Sequence, residues 1–399
     1  MVLENKTKII ATLGPASFEE KVIKQLLEAG ANILRINCSH NTPEQVEVLV
    51  EKIHRIREAS GYDNVGILLD LPGPKLRLAE IENGSVFLET NSLVTLKAGM
   101  SLGNKSVLFI KSLEKLDFVK PNDHIFIDDG KIVLQVQEVL DETTITAKVV
   151  QGGEIKNSKG VDFPTSPIPG PDLTDKDFEF LDMACKLPVD FLAISFVRNA
   201  NTIKNVKQVL VNSNKDIWVI AKIERKEALN EIDAILEVAD AIMIARGDLA
   251  LAVPPEQLPI VQIRLIEKAN DKAVPVIVAT QMLLSMVKNR TPTRAEVSDV
   301  SYSVMQGADA VMLSDETSVG EYPVLSVQMM KRIVVEALQN FNFDQYKSRL
   351  TTLGHGNIVE AVCYAAAAAS FKLNSKAIVA CTTSGYSVKL LTKYRPKPP

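Results

Sequence analysis

Two ionisable side chains, Lys222 and Glu224, stand two residues apart at the end of the apolar run WVIAKIERKE (218–227). In an extended strand that spacing puts both on one face. A buried ammonium or carboxylate costs several kcal/mol unless it is paired or holds a ligand, so the stretch asks for a partner. Other apolar runs end in the same way. NILRIN carries Arg35 and Asn37, VGILLD ends in Asp70, and AIMIARGD ends in Arg246, Gly247 and Asp248. PVIVATQ supplies Thr280, and AVMLSDE supplies Ser314 and Glu316. Taken singly, each has a bland explanation: a strand-end Lys or Arg snorkels or pairs, and a strand-end Asp or Thr caps the next helix. Convergence on one rim would make them a site. Glu224 and Asp248 offer oxygen ligands without His or Cys, which favours a hard cation, Mg2+ before Zn2+. Lys222 and Arg35 then suit a substrate with several negative charges, such as a phosphoryl group. Gly247 lets backbone N–H groups approach a carboxylate closely. Neither G-x-x-x-x-G-K-[ST] nor G-x-G-x-x-G occurs, which argues against P-loop and dinucleotide chemistry.

The elements that must position these residues repeat as strand, polar loop and helix. Eight strands are expected at 7–14, 32–37, 65–70, 190–197, 217–224, 241–248, 275–281 and 310–316. Continuous apolar strands alternating with helices imply a parallel sheet covered by helices, and eight units imply a closed (β/α)8 barrel whose strand ends carry the site. Between them lie helical patterns such as EEKVIKQLLEAG, and TPTRAEVSDV has capping-box spacing at Thr293 and Glu296. The rhythm breaks between 75 and 170, where short β-rich segments replace helices and Asp129-Gly130 marks a hairpin. The chain therefore reads as a barrel (1–73 and 171–341), an inserted β lid (74–170) and a partial C-terminal α/β domain (342–399). That last part contains a helix in IVEAVCYAAAAASFKL, a strand in KAIVAC and a loop in TTSGYS.

Composition bounds the function class. The 399 residues are 46% apolar and 24% charged, with a net charge of −4, so no basic footprint for nucleic acid or acidic membrane is expected. MVLENKTKII lacks an apolar leader and no run of eighteen apolar residues occurs, so a cytoplasmic protein is expected. Cys38, Cys185, Cys363 and Cys381 lack metal-ligand spacing and read as reduced thiols. With only four His, a histidine-based mechanism is not expected.

TKIIATLGPAS, ILRINCSH, KGVDFP, AKIE, IMIARGDLA, VIVATQMLLSM, TPTRAEVSDV and AVMLSDETSVGEYP, in that order, resemble the signatures of pyruvate kinase over most of residues 6–340. The resemblance implies phosphoryl transfer from phosphoenolpyruvate to ADP with Mg2+, or Mn2+ in its place. It implies Glu224 and Asp248 as metal ligands, Lys222 as the charge stabilising the phosphoryl group in flight, and Arg35 on the substrate phosphate. Gly247, Asp248 and Thr280 would hold the substrate carboxylate, with Thr280 also relaying a proton through water. Asn37, Ser39, His40, Arg77 and Lys159 would line the nucleotide side, and Arg294 and Asp128 would form a lid-docking pair. A homotetramer is also implied.

Departures from the family carry their own expectations. Where many members read DTKGPE and bind K+ through Asn, Ser, Asp and Thr oxygens, this chain reads Asp70, Leu71, Pro72, Gly73, Pro74, Lys75. The Lys75 ammonium is expected to replace K+ beside Asn37, Ser39 and Asp70, so that K+ is not required. Asp315 stands where the family has Gly, and Cys38 and Ala252 read as packing changes. Tyr386 stands in TTSGYS where Arg is common, so activation by fructose 1,6-bisphosphate is not expected. Two other readings stay open here: a Mg2+-dependent aldolase acting on an enolate, and an inactive regulatory paralogue.

Overall fold

The computed structural model describes residues 6–342 apart from 165 and 167, residue 346, and residues 358–396. The expected proline-rich closure of the lid and the opening of the C-terminal part therefore fall partly outside the described residues, as do the last three residues of YRPKPP. Eight parallel strands close a barrel: β1 (Lys8–Leu13), β2 (Ile33–Asn37), β3 (Gly66–Asp70), β4 (Phe191–Ile194), β5 (Trp218–Ile223), β6 (Ala241–Ala245), β7 (Val276–Ala279) and β8 (Ala310–Leu313). Neighbours in sequence are neighbours in space, and β8 pairs with β1 through Lys8–Ala310 to Ala11–Leu313. The mostly β-branched and Leu-rich runs are buried on both faces, as a helix-covered parallel sheet requires.

Inside the barrel, Ile10, Leu68, Ile220, Met243, Ile277 and Met312 form a dry plug, with Ala193, Ala241, Ala279 and Ala310 filling the gaps. Gly66 makes this packing possible: a Cβ there would stand 2.5 Å from Phe191 Cε2. Trp218, at the floor, is half exposed with its edge against Phe191. Above the plug the inward side chains turn polar, so the barrel mouth is the only end of the plug carrying buried Arg35, Asp70, Lys222 and Glu224 among the described residues. Outside, the helices bury a second and larger core against the strands. The helix Glu20–Ala29 ends on Gly30 in the left-handed region, and Arg294–Gln306 opens with the Thr293/Glu296 capping box read from the sequence.

The insert folds as a seven-stranded sheet around its own apolar core. Its edges, Arg77–Leu78 and Val161–Asp162, approach through an Arg77–Gly160 bridge and nearly close it. Strands His124–Ile127 and Ile132–Asp141 form the hairpin expected around Asp129-Gly130, with Asp128, Asp129 and Gly130 all at positive φ. In the C-terminal part, Ile358–Lys372 is a helix, as expected. KAIVAC is not a strand. Among the described residues it has no pairing partner and Val379 is exposed, and an apolar run without a ladder to join has no reason to stay extended. Among the described residues no helix is long and apolar enough to cross a membrane.

Candidate active site

Register puts the ends of β2 to β5 level: Asn37 lies opposite Asp70, Ala193 opposite Asp70, and Ile194 opposite Ala221. Their inward side chains therefore meet. Asp70, fully buried, is the hub. It accepts Arg35 Nε at 2.7 Å on Oδ2 and faces Lys222 Nζ at 3.1 Å on Oδ1. Lys222 Nζ also reaches Glu224 Oε1 at 3.0 Å and donates to Ser195 Oγ at 2.6 Å. Ser195 Oγ in turn donates to the Leu71 carbonyl at 2.7 Å. Arg35 is steadied from the other side by Thr12 Oγ1 at 2.9 Å.

The charges explain one another. Burial opposes ionisation of Asp70, but Lys222 and Arg35 outweigh it and hold the carboxyl below its ordinary value. Burial likewise disfavours the Lys222 ammonium, yet Asp70 and Glu224 keep its pKa above the usual one. Glu224 moves the other way. Burial, joined by the nearby Asp248 charge, pushes it up despite Lys222. Two carboxylates that repel across one cavity, with hard oxygens and few protein donors, fit a divalent cation. Among the described residues no group of three or more His, Cys, Asp or Glu gathers as a metal cage, so substrate oxygens and water would complete the shell.

Asp248 sits in the first turn of the short helix Arg246–Ala252, which begins where β6 ends. Gly247 N–H donates to Thr280 Oγ1 at 2.8 Å. Thr280 has φ of 69°, an uncommon and strained state for a β-branched residue. Arg246 holds it there. Its guanidinium donates to the carbonyls of Ala279 at 3.2 Å and Thr280 at 2.8 Å, while Asp299 anchors the other side at 2.7 Å. A cleft of about 590 Å³ opens over Gly247, Asp248, Thr280, Lys75 and Asp315.

On the proposed nucleotide side, His40 follows Asn37 and Ser39 in the loop after β2, and Asn37 Oδ1 caps the Ser39 amide at 3.0 Å. Burial, then the Arg77 and Arg35 charges, lower the His40 pKa, so these three groups share one neighbourhood. Lys159 is tied to Asp128 within the lid at 2.8 Å.

Two expectations need correction. Lys75 does not join Asn37, Ser39 and Asp70. Its ammonium lies 2.9 Å from Asp248 and 3.6 Å from Asp129, because Asp70 is already neutralised by Arg35 and Lys222 while Asp248 is not. Asp128 pairs with Lys131 and Lys159 rather than Arg294, both cations belonging to the insert's own turns and loops. Glu316 lines the same cleft as Asp248 and Thr280, as expected of the β8 exit, but its buried carboxylate accepts the Leu283 and Ser314 amides, a structural tie between loops.

Sequence reasoning passed over Ser195, Thr12, Asp162 and the Phe196 amide, which donates to Glu224 Oε2 at 2.6 Å. Ser195 was legible in principle, as the polar residue closing DFLAIS on the same rim. The positive φ of Phe196, which aims that amide, has no sequence signal.

Comparison with known proteins identifies the family. Residues 4–327 match the family described as "Pyruvate kinase, barrel domain", and residues 360–399 match "Pyruvate kinase, alpha/beta domain". A pyruvate kinase of Sporosarcina psychrophila is 39% identical over 98% of this chain and 67% of its own length. One from Thermococcus litoralis is 39% identical over 98% of this chain and 83% of its own. A solved pyruvate kinase structure from Cryptosporidium parvum superposes with a TM-score of 0.94 at 32% identity, covering 99% of this chain and 82% of that one. The chain belongs to the pyruvate kinase family.

Proposed function

We propose that the chain moves the phosphoryl group of phosphoenolpyruvate to ADP, giving pyruvate and ATP, with Mg2+ as the divalent ion the family needs. The observation that carries this reading is the buried Arg35–Asp70–Lys222–Glu224 cluster, which gathers two cations and two carboxylates at one point of the barrel mouth. Glu224 and Asp248 would hold the metal. When bound, it would neutralise charge on the phosphoryl and enolate oxygens.

The residues divide the rest of the work. Arg35 orients the phosphate, and Lys222, locked by Asp70 and Ser195, stays cationic where charge accumulates as the enol-phosphate P–O bond breaks and a bond to the terminal ADP oxygen forms. The substrate carboxylate would meet the turn at Gly247 and Asp248 and displace the Thr280 hydroxyl from the Gly247 amide. The Thr280 hydroxyl, which donates to the Ala279 carbonyl at 2.6 Å, would then turn to pass a proton from water to the enolate carbon, which completes pyruvate. Asn37, Ser39, His40, Arg77 and Lys159 are assigned to ADP, and closure of the lid to exclusion of water.

Independence from K+ belongs to the same proposal, on altered grounds. Leu71 supplies no side-chain oxygen and its carbonyl is taken by Ser195. Asp70 is committed to Arg35 and Lys222, and Asn37 Oδ1 to Ser39. A homo-oligomer is carried over from the family resemblance.

A coupled assay for pyruvate tests the reading. Pyruvate is expected to form from phosphoenolpyruvate only when ADP and a divalent cation are both present. Formation without ADP, or none under any condition, refutes it.

A further inference from the structure

Lys75 occupies a built seat rather than a solvated one. It leaves the stiff Gly73-Pro74 connection, where its amide donates to the Gly73 carbonyl at 2.9 Å, and it crosses from barrel to lid. A Cβ on Gly160 would stand 3.0 Å from Lys75 Cε, so the glycine makes room for the stem. The ammonium ends 2.9 Å from Asp248 of the barrel and 3.6 Å from Asp129 at the tip of the lid hairpin. Asp129 is largely exposed, with Lys75 as its one ion-pair partner among the described residues. Asp162, with a buried and unbonded Oδ2, lines the same recess as Glu224 and Asp248. Arg225 and Lys226 line that recess too and Lys222 pairs with Glu224, so Lys75 is the cation nearest Asp248 among the described ion pairs.

We propose that Lys75 is a tethered counter-ion that holds Asp248 until a divalent cation takes that carboxylate, and that the displaced ammonium moves to Asp129 on the lid. An ammonium and a divalent ion on one carboxylate repel, so binding the ion favours the longer of the two Lys75 contacts over the shorter. Metal loading is thereby linked to a barrel-to-lid ion pair, and Lys75 acts as a positioning residue for metal and lid together. The inference rests on the reading of Glu224 and Asp248 as the metal ligands.

The test is Mn2+ binding to the substrate-free enzyme, followed by electron paramagnetic resonance. Lys75→Met is expected to tighten Mn2+ binding about tenfold, and Lys75→Arg, which keeps the charge, to stay within about twofold of the parent. Asp129→Asn should weaken binding severalfold in the parent and have no effect in the Lys75→Met background. Lys131→Met removes a charge from the same hairpin and should leave binding unchanged. Unaltered or weaker binding in a folded Lys75→Met protein overturns the proposal, as does equal tightening by Lys75→Arg or Lys131→Met. If Lys75→Met fails to fold, Lys75→Gln and the Asp129→Asn measurement decide on the same terms. Glu224→Gln and Asp248→Asn separate the two readings. If neither weakens Mn2+ binding, the assignment of the metal ligands has failed; if both do while Lys75→Met behaves as the parent, only the counter-ion proposal has.

Discussion

In the proposed mechanism the chemistry turns on Lys222, whose ammonium is shared by Asp70, Glu224 and Ser195. Lys222→Met should lower kcat by roughly 10²–10³ or more, the scale of losing a preorganised charge in a water-poor site. Steady-state kinetics with the melting temperature as a folding control will check this, since two buried carboxylates also lose a partner. Asp162 gives a different kind of prediction. Burial, together with the Asp248 charge, pushes it up to about 6 from 3.8 despite Lys75. A carboxyl raised on folding stabilises the native state fully below its unfolded value and loses that contribution as pH rises through its folded value. Asp162→Asn should therefore match the parent in thermal stability near pH 3.8 and exceed it above about pH 6, measured in chelator. Which residues gather at the rim was legible from type and strand-end position. Which partner each chose was not, as Lys75 shows: its choice between Asp70 and Asp248 depended on which carboxylate other chain segments had already neutralised.

Between residue and molecule, elements set the aim of the side chains. The β6 exit is the clearest case, where Arg246 grips two carbonyls of the β7 exit and keeps Thr280 at a φ of 69°. Arg246→Leu frees that segment to relax, because the strained conformation costs about 1–3 kcal/mol and persists only when held. The expected result is a fall of about 10² in kcat/KM with Mn2+ binding unchanged, since a small misplacement at a reacting centre costs that much. A loss of Mn2+ binding in the same variant would assign Arg246 to folding of the rim instead. The eight barrel strands were legible because each is a short apolar run buried on both faces and punctuated by caps. KAIVAC has the same composition and misled, since strand propensity is realised only beside a pairing strand. The turn at Phe196 could not be read at all, because nothing in Ser195-Phe196-Val197 announces a left-handed residue.

For the whole molecule, the β character of the insert was visible as a change of period, whereas the way its hairpin reaches the barrel through Asp129 and Lys75 depends on three-dimensional closure. The commitment of Asp70, Asn37 and the Leu71 carbonyl to protein partners predicts an enzyme indifferent to monovalent cations. Initial rates in K+ and in tetramethylammonium salts of equal ionic strength should agree within about twofold, and a strong requirement for K+ would place an unrecognised cation among these oxygens. The central claim, that one barrel mouth joins a carboxylate-held metal to a cationic phosphate clamp, is tested most directly by anomalous diffraction from crystals grown with Mn2+ and phosphoenolpyruvate. The account predicts a manganese peak bonded to Glu224 and Asp248, with the phosphate against Lys222 and Arg35. A peak away from either carboxylate, or a phosphate out of reach of Lys222, would contradict it.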